Sequence, residues 1–227
     1  MDDDIFAVVE EKMIVAKGIS KSYGRQVVLS DINFSAEAGE SAVIVGRNGI
    51  GKSTLLTILA GFLRPDSGSV QCSEEIIAFC PQEDDLFEEL TVRDNIRFWS
   101  AISGGSNGSS RHFANILGVD AFAGKKISQL SIGMKKCTAL CCALCGDPRL
   151  LILDEPFAGL DIFHKNALIA AFGQLIADGK CILYSSHSID EITGLGSQIY
   201  TLANAKLTHF QSEASGINIL EPLLAGI

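Results

Sequence analysis

The fold is decided by residues 41–54, which read SAVIVGRNGIGKST. A short apolar run is followed by glycines, a lysine and two hydroxyl residues, and residues 55–59 (LLTIL) are apolar again. This order predicts a buried strand, a loop and a helix that begins near Lys52. The spacing also fits G-x-x-x-x-G-K-[ST], the loop that holds the phosphates of a nucleotide.

Each position of this loop has a physical reason. The glycines leave room for backbone N–H groups to turn inward around a phosphate, and the first turn of the helix directs its unsatisfied donors at the same anion. Lys52 adds a positive charge, and Ser53 offers a hydroxyl to Mg²⁺. An ordinary turn that binds nothing is the alternative, but the flanking strand and helix favour the phosphate site. The predicted nucleotide-binding residues are Gly46, Asn48, Gly49, Gly51, Lys52, Ser53 and Thr54.

The composition favours one domain. The chain has 227 residues, of which 47% are hydrophobic, and this is enough for one substantial core. We therefore expect a single domain over residues 1–227, with a helical subdomain inserted at roughly 83–145. The formal net charge of −9 argues against a nucleic-acid partner, because such proteins normally present a basic surface.

The sequence predicts a cytoplasmic chain. No apolar run approaches the roughly 20 residues that span a bilayer, and the acidic start at residues 1–4 is unlike the basic end of a signal peptide. Seven cysteines are an odd count, which makes a disulfide framework improbable in a chain of this kind.

Four of the cysteines invite a metal-site interpretation. At roughly 100° per residue, Cys137, Cys141 and Cys145 share one stripe of a helix, while Cys142 turns away from it. One helix therefore cannot close a tetrahedral site. The favoured interpretation is that these are small buried side chains standing in for alanine.

Two pairs of strands are predicted before the helical region. Residues 13–19 and 27–34 alternate apolar and polar, as half-buried strands do. Residues 20–24 read as a turn that presents Tyr23, either as a rim residue or as a ring that stacks on a purine. Residues 69–72 and 76–79 are predicted to form a strand pair.

Residues 91–117 read as helical. Thr91 and Asp94 have the form of a capping box, which predicts a helix from Val92 to about Ile102. Residues 104–110 are flexible by composition, and a second helix is predicted from His112 to Leu117. Phe98 and Trp99 are expected in the core, with a groove for a transmembrane partner as the alternative.

Two further strands end in polar residues. After Arg149, residues 150–153 are fully apolar and are predicted to form a strand that delivers Asp154 and Glu155, and residues 181–184 lead to His187 through two serines. Ligands of open α/β sheets lie at the carboxyl ends of the strands. The first acid is placed to hold the Mg²⁺ shell and the second to orient water against the γ-phosphate. A single histidine at a strand end is more often structural, but three strands that direct polar residues at one edge favour a site.

From residue 13 to about 208 the chain resembles the ATP-binding subunit of an ABC transporter. Tyr23 matches the aromatic residue that stacks on adenine, and residues 46–54 match the Walker A loop. Gln82 matches the glutamine that senses Mg²⁺ and the transmembrane partner. Asp154 and Glu155 match the Walker B aspartate and the catalytic glutamate.

The remaining landmarks imply contacts between two copies. Residues 130–134 lie where the family has Leu-Ser-Gly-Gly-Gln, and Ser131 and Gly133 are retained to meet the γ-phosphate of the opposite subunit. Asp161 matches the aspartate that crosses the dimer interface, and His187 matches the switch histidine. The resemblance implies a P-loop NTPase of the α/β class, with a RecA-like parallel sheet core, an N-terminal antiparallel β-subdomain and an inserted α-helical subdomain.

The chain departs from the family pattern at three positions. Ile132 replaces the first signature glycine, Met134 replaces its glutamine, and Cys142 stands where an arginine is usual. The two changes in the signature, at Ile132 and Met134, put the tightness of dimer closure in question. The form Ser-x-Gly-Met-Lys resembles subunits that serve exporters, which favours export weakly.

The resemblance implies ATP and Mg²⁺ as cofactors, with Ser53, Gln82 and Asp154 addressing the metal. It also implies pairing with a second ATP-binding subunit and hydrolysis that drives transmembrane permease subunits, on the inner face of the cell membrane. One alternative is an ABC-type ATPase that acts as an assembly or scaffold factor without a transporter. A P-loop kinase is less favoured, because kinases lack Leu-Ser-x-Gly before an Asp-Glu strand end.

Overall fold

The computed structural model describes residues 12–73, 77–83, 85–104, 108–187, 191–192, 195 and 198–210. The strands are β1 (Lys12–Tyr23), β2 (Gln26–Glu37), β3 (Ser41–Val45), β4 (Ser67–Cys72), β5 (Ile77–Cys80), β6 (Leu150–Leu153), β7 (Cys181–Ser186), β8 (Gln198–Ala203) and β9 (Lys206–Phe210). The α-helices are α1 (Lys52–Leu59), α2 (Val92–Ile102), α3 (Gly108–Ile116), α4 (Ile132–Ala143) and α5 (Ile162–Ala177).

A six-stranded sheet forms the centre of the molecule. Its order is β5-β6-β7-β3-β8-β9, and every neighbouring pair is parallel except β8 and β9. The three strands β3, β6 and β7 are buried along their whole length, as expected of strands covered on both faces. The parallel core, the helix that begins at Lys52 and the buried strands after residues 149 and 180 are therefore confirmed.

The sheet separates two apolar clusters. Side chains alternate along a strand, so Ala42 and Ile44 of β3 pack with α1 and the antiparallel strands, while Val43 and Val45 pack on the other side with α4 and α5. Both faces of the sheet are thus covered, and its strand ends are where polar groups can reach solvent.

A second, three-stranded sheet has the order β2-β1-β4 and is antiparallel. It covers the face of the parallel sheet that carries α1. The N–H of Ser30 donates to the carbonyl of Ala205 in the β8–β9 turn at 2.8 Å, which ties the two sheets together. The predicted N-terminal antiparallel subdomain is confirmed.

Two predictions in this region are wrong. The strand pair predicted at residues 69–72 and 76–79 does not form between the described residues, because β4 pairs with β1 and β5 pairs with β6. Residue 76 lies outside the described residues. Both segments are short, and each pairs with a strand that is distant in the sequence: β4 lies along the longer strand β1, and β5 lies beside the fully buried strand β6. The turn predicted at residues 20–24 is also shorter, since β1 runs through Tyr23 and the turn consists of Gly24 and Arg25.

The helical region lies where it was predicted. The Thr91 hydroxyl accepts a hydrogen bond from the N–H of Asp94 and caps α2, which ends at Ile102 as expected. The next helix begins at Gly108 and ends at Ile116, so the prediction of a helix from His112 was four residues short. Residues 108–110 are helical despite their Gly-Ser composition, and residues 105–107 of the predicted flexible stretch lie outside the described residues.

Phe98 is not a core residue. Its side chain is 41% exposed, and its ring packs edge-on against Phe87 at a centroid distance of 4.8 Å. Trp99, which packs on Phe98, is partly buried. Phe98 and Phe87 therefore form an exposed aromatic pair at the start of the helical region. None of the helices in the described part of the chain has the length and apolar character that a bilayer crossing requires.

Six of the seven cysteines are buried, and all seven are free thiols. Burial raises the pKa of Cys181 to about 12, and it raises the pKa values of Cys141, Cys142 and Cys145 as well. The burial predicted for the cysteines of α4 is confirmed. Within the described residues no group of three or more His, Cys, Asp or Glu side chains is arranged to hold a metal ion.

We expect Cys72, which is partly exposed, to be the first thiol that iodoacetamide labels in the folded protein. The buried thiols should react at least about 100-fold more slowly at neutral pH, because burial disfavours the reactive thiolate. Mass spectrometry of tryptic peptides before and after denaturation measures both rates. Cys72→Ser should remove the fast phase, and labelling of the α4 cysteines at the rate of Cys72 would contradict this account.

Candidate functional site

The loop between β3 and α1 needs glycine at two positions because other backbone segments approach it closely. A Cβ at Gly46 would lie 2.7 Å from the carbonyl oxygen of Leu202, and a Cβ at Gly51 would lie 2.5 Å from the side chain of Val28. Gly51 also has a φ of +116°, which L side chains rarely adopt. The loop is thus held between β2 and β8, and its form is imposed by these contacts.

Lys52 is buried at the centre of the loop. Its Nζ donates to the carbonyls of Gly46 at 2.9 Å and Arg47 at 3.1 Å, and it lies 3.7 Å from Oε1 of Glu155. The lysine side chain is only 5% exposed. The ammonium is thus held near the first turn of α1, where the side chain of Ser53 is exposed. The site therefore presents a fixed positive charge beside an accessible hydroxyl, which suits a phosphate group.

Asp154 and Glu155 follow β6 directly and take different environments. Asp154 is 4% exposed, its N–H donates to the carbonyl of Cys80, and its Oδ1 accepts a hydrogen bond from the Ser185 hydroxyl at 2.5 Å. The same hydroxyl of Ser185 accepts the N–H of Glu155 at 2.9 Å. One serine on β7 therefore orients the first acid through its side chain and the second through its backbone.

Glu155 turns away from the strand. Its φ is +48°, a conformation that is uncommon for a residue with a side chain. In this position its Oε1 lies near Nζ of Lys52 and 3.5 Å from Nδ1 of His187, whose side chain is 54% exposed. Lys52, which was predicted to bind phosphate, and His187, the predicted switch residue, thus both lie close to one carboxylate oxygen of the predicted base, Glu155.

Lys52 and Glu155 border an open cavity of about 400 Å³. Tyr23, with half of its surface exposed, stands on its wall, as an aromatic that stacks on a purine would. Gln82, at the end of β5, also lines the cavity and is exposed. The described lining residues are Tyr23, Gln26, Val28, Asn48, Gly49, Gly51, Lys52, Ser53, Thr54, Gln82 and Glu155.

The signature residues lie outside this cavity. The Ser131 hydroxyl accepts the N–H of Met134 and caps α4, and a Cβ at Gly133 would lie 2.9 Å from the carbonyl oxygen of Gly159. The signature turn is thus packed against the loop that leads to Asp161. Neither Ser131 nor Gly133 is among the described residues that line the cavity of their own chain.

Asp161 caps the next helix, α5. Its carboxylate accepts the N–H of His164 and lies 2.8 Å from the ring Nδ1 of the same residue. These hydrogen bonds, the backbone one first, hold the pKa of Asp161 below its ordinary value. The carboxylate is exposed and ionised at the surface next to the signature turn.

Sequence reasoning missed three residues of the site. Gln26 and Val28 line the cavity from β2, and no motif points to them. Ser185 was noted only as a residue before His187. The pairing of Leu153 with Tyr184 places Ser185 beside Asp154, so knowledge of which strands are neighbours would have found it.

Comparisons with known proteins show which proteins this chain is similar to. The ABC transporter family model matches residues 29–158. Relatives include the linearmycin resistance ATP-binding protein LnrL of Bacillus subtilis (strain 168), which is 30% identical over 95% of this chain and 76% of its own length. The Nod factor export ATP-binding protein I of Mesorhizobium japonicum is 31% identical over 83% of this chain and 60% of its own.

A third relative is named for import. The molybdate/tungstate import ATP-binding protein WtpC of Thermococcus kodakarensis is 33% identical over 86% of this chain and 63% of its own length. This chain therefore spans about three fifths of the length of these Mesorhizobium and Thermococcus relatives. Among solved structures, the ATP-binding subunit of an ABC transporter superimposes with a TM-score of 0.84 at 24% identity, over 94% of this chain and 99% of that one. This likeness concerns the fold.

We expect Ser185→Ala to lower the rate of ATP hydrolysis on the order of 10–100-fold, as removal of a residue that orients a reacting or metal-binding group typically does. Nucleotide affinity should change little, because the loop around Lys52 is untouched. Steady-state hydrolysis and calorimetric titration with nucleotide measure the two effects.

A matched control for Ser185→Ala is Ser110→Ala. Ser110 is also buried, and its hydroxyl donates to the carbonyl of Cys141 at 2.7 Å, in the helical region. This change should lower the melting temperature and leave the rate per folded molecule unchanged. Equal rates in the parent and in Ser185→Ala would show that the serine has no part in the reaction.

Proposed function

Because the chain belongs to the ABC transporter family, we propose that it binds ATP with Mg²⁺ and hydrolyses it at an interface between two copies arranged head to tail. The ATP-binding proteins of this family are ATPases, and this chain is one of them. We further propose that residues 1–227 act as one ABC-type domain, with the helical residues at about 83–145 inserted in it.

The observation that carries the proposal is the meeting of Lys52, Glu155 and His187 around one oxygen at the edge of the cavity. Lys52 and the loop amides bind the phosphates, and Tyr23 stacks on the base. Glu155 accepts a hydrogen bond from the attacking water, because its carboxylate lies at the end of a rigid strand and points toward the phosphate loop. His187, whose Nδ1 lies 3.5 Å from Oε1 of Glu155, contacts the γ-phosphate.

Three oxygen-bearing side chains, from the start of α1 and from the segments that follow β5 and β6, fit Mg²⁺, which prefers oxygen ligands and shares its shell with substrate phosphates. Ser53 offers a hydroxyl, Gln82 an amide oxygen and Asp154 a carboxylate, of which Oδ1 is oriented by Ser185. These three residues would hold the ion. When bound, the ion neutralises charge on the phosphates and positions them for attack.

The proposed second copy completes the site. Ser131 is exposed, and with Gly133 it lies at the N-terminal end of α4, where backbone N–H groups favour an anion. Because these residues do not line the cavity of their own chain, we assign them to the γ-phosphate of the partner copy. Asp161, exposed next to the signature turn, crosses the same interface.

We propose that transmembrane permease subunits dock on the helical region, with the chain peripheral to the inner face of the cell membrane. A cavity of about 480 Å³ between α2 and α3 is lined by Arg93, Arg97 and Arg111, which are three of the seven arginines in a chain of net charge −9. The exposed ring of Phe98 lies on the same helix α2. Basic and apolar groups together suit a membrane-partner loop that carries acidic side chains.

The direction of transport is proposed as export. The signature form supports this weakly, and one relative is named for export, whereas another is named for import. The alternative, an ABC-type ATPase that serves as an assembly or scaffold factor, differs in having no polytopic membrane partner.

We expect Glu155→Gln to keep nucleotide affinity and to lower hydrolysis on the order of 10²–10⁴-fold, because the amide cannot act as a base. Removal of the charge also relieves repulsion with the γ-phosphate, so the variant should accumulate as an ATP-loaded dimer. Light scattering coupled to size exclusion should show twice the monomer mass with MgATP and not with MgADP.

Lys52→Ala is the control for this trapping. Loss of the ammonium removes charge-assisted hydrogen bonds worth about 1.5–3 kcal/mol each, so the double variant should bind ATP poorly and stay monomeric. A Glu155→Gln protein that remains monomeric with ATP bound, or that hydrolyses ATP at the parental rate, would contradict the assignment.

The membrane partner is tested by affinity capture after detergent extraction of cells that express the chain at native level. A polytopic membrane protein should co-purify, and Arg111→Glu should weaken its capture by reversing the charge on the cavity wall. Lys206→Glu, an equal charge change at an exposed position of β9, should not. Capture of only water-soluble proteins would favour the scaffold alternative.

A further inference from the structure

Lys136 is a buried lysine to which neither the sequence nor the proposed reaction assigns a role. Only 2% of its surface is exposed. Among its contacts, Nζ donates to the carbonyls of Pro81 at 3.3 Å and Gln82 at 3.1 Å. Both acceptors belong to the segment that leaves β5 and carries Gln82 into the nucleotide cavity.

These contacts fix the backbone of Gln82 and leave its side chain free. An ammonium taken out of water is costly unless its hydrogen bonds are replaced, so the lysine holds its acceptors in a definite position. The side chain of Gln82 is exposed and lines the cavity with Lys52 and Ser53. A shift of the Gln82 backbone therefore moves the amide that faces the nucleotide.

Lys136 lies on the helix that carries the signature. Ser131 caps α4, Gly133 is in its first turn, and Lys136 follows one turn from that cap. Residues 136–142 of this helix are all buried, so α4 moves as a rigid body with its packing. The lysine consequently joins a residue of one nucleotide site to the residues that we assign to the other.

We propose that Lys136 is a positioning residue that couples the two nucleotide sites of the dimer. The inference rests on the proposed function, since it assigns Gln82 to the site in the same copy and Ser131 with Gly133 to the partner's site. A nucleotide that draws Gln82 inward pulls on α4 through Lys136. The signature turn then moves toward the second nucleotide, and by reciprocity occupancy of the second site biases the first.

Lys136→Met tests the coupling, because methionine has a similar length and no N–H donors. The variant should bind nucleotide within about twofold of the parental affinity, since the loop around Lys52 is intact. Its maximal turnover should fall on the order of 10–100-fold, as misplacement of a positioning group does. The Hill coefficient of hydrolysis against ATP concentration should fall from above one in the parent to one.

Two matched controls separate coupling from general destabilisation. Lys135→Met changes the adjacent lysine, which pairs with Glu88 at the surface at 2.6 Å. Lys180→Met removes another buried lysine, which donates to the carbonyl of Pro148 at 2.8 Å and to Asp147, away from the cavity. The second control should lower the melting temperature as Lys136→Met does, and both should keep the parental Hill coefficient and turnover.

Lys136→Arg retains a cation and several donors, so it should restore part of the turnover and a Hill coefficient above one. Parental turnover and cooperativity in Lys136→Met would overturn the proposal, and so would an equal loss in Lys180→Met or a parental Hill coefficient of one. A parent that shows no ATP-dependent dimer would instead overturn the proposed function. If Lys136→Met fails to fold, Lys136→Gln decides, because its shorter uncharged side chain also loses the ammonium contacts with the carbonyls of Pro81 and Gln82. A lowered turnover with a Hill coefficient of one supports the proposal, and parental values of both overturn it.

Discussion

The candidate site depends on one hydrogen bond between neighbouring strands, from the Ser185 hydroxyl to the Asp154 carboxylate. The register of β6 and β7 places these residues side by side at the carboxyl ends of two buried strands. The serine oxygen also accepts the N–H of Glu155, whose backbone turns there into a positive φ. Buried polar groups need hydrogen-bond partners. Here the Ser185 hydroxyl donates to the carboxylate of Asp154 and accepts the N–H of Glu155. The acid that would hold the ion and the acid that would act on water are consequently fixed relative to each other.

The charges of the site are balanced locally in a chain that is acidic overall. The single ammonium of Lys52 lies near the carboxylate of Glu155 and is held by two carbonyls of its own loop. Because the formal net charge is −9, the general field of the protein repels an anion, and attraction has to come from groups within a few ångströms. This explains why a nucleotide site is compatible with an acidic chain: the loop amides, the lysine and the start of α1 act at short range.

The sequence predicted those parts of the site whose form depends on local geometry. The loop at residues 46–54 and the acids after residue 153 are set by a strand end and a helix start, which a motif describes completely. The sequence-based prediction failed for the pairing of strands. β4 and β5 were predicted to pair with each other, but each belongs to a different sheet. The burial of Lys136 was not predictable either, because its partners are carbonyls 54 and 55 residues away in the chain. Composition misled at residues 108–110, where packing on α4 outweighs the weak helix propensity of glycine and serine.

The unusual signature gains physical meaning from the contact of Ile132 with Gly159. A Cβ at Gly159 would lie 2.6 Å from Cγ2 of Ile132, so the isoleucine packs directly on the loop that ends at Asp161. A glycine at position 132 has no side chain to make this contact, so the loop that ends at Asp161 would lose one packing contact. Ile132 is nevertheless 74% exposed, so most of its apolar surface is accessible to a second copy. The substitution thus has two consequences: Ile132 packs on the Asp161 loop within one chain, and it offers apolar surface to the interface that we propose between two copies. In a head-to-tail dimer both contributions fall on the same closing step, the first by ordering a loop before contact and the second by burying area during it.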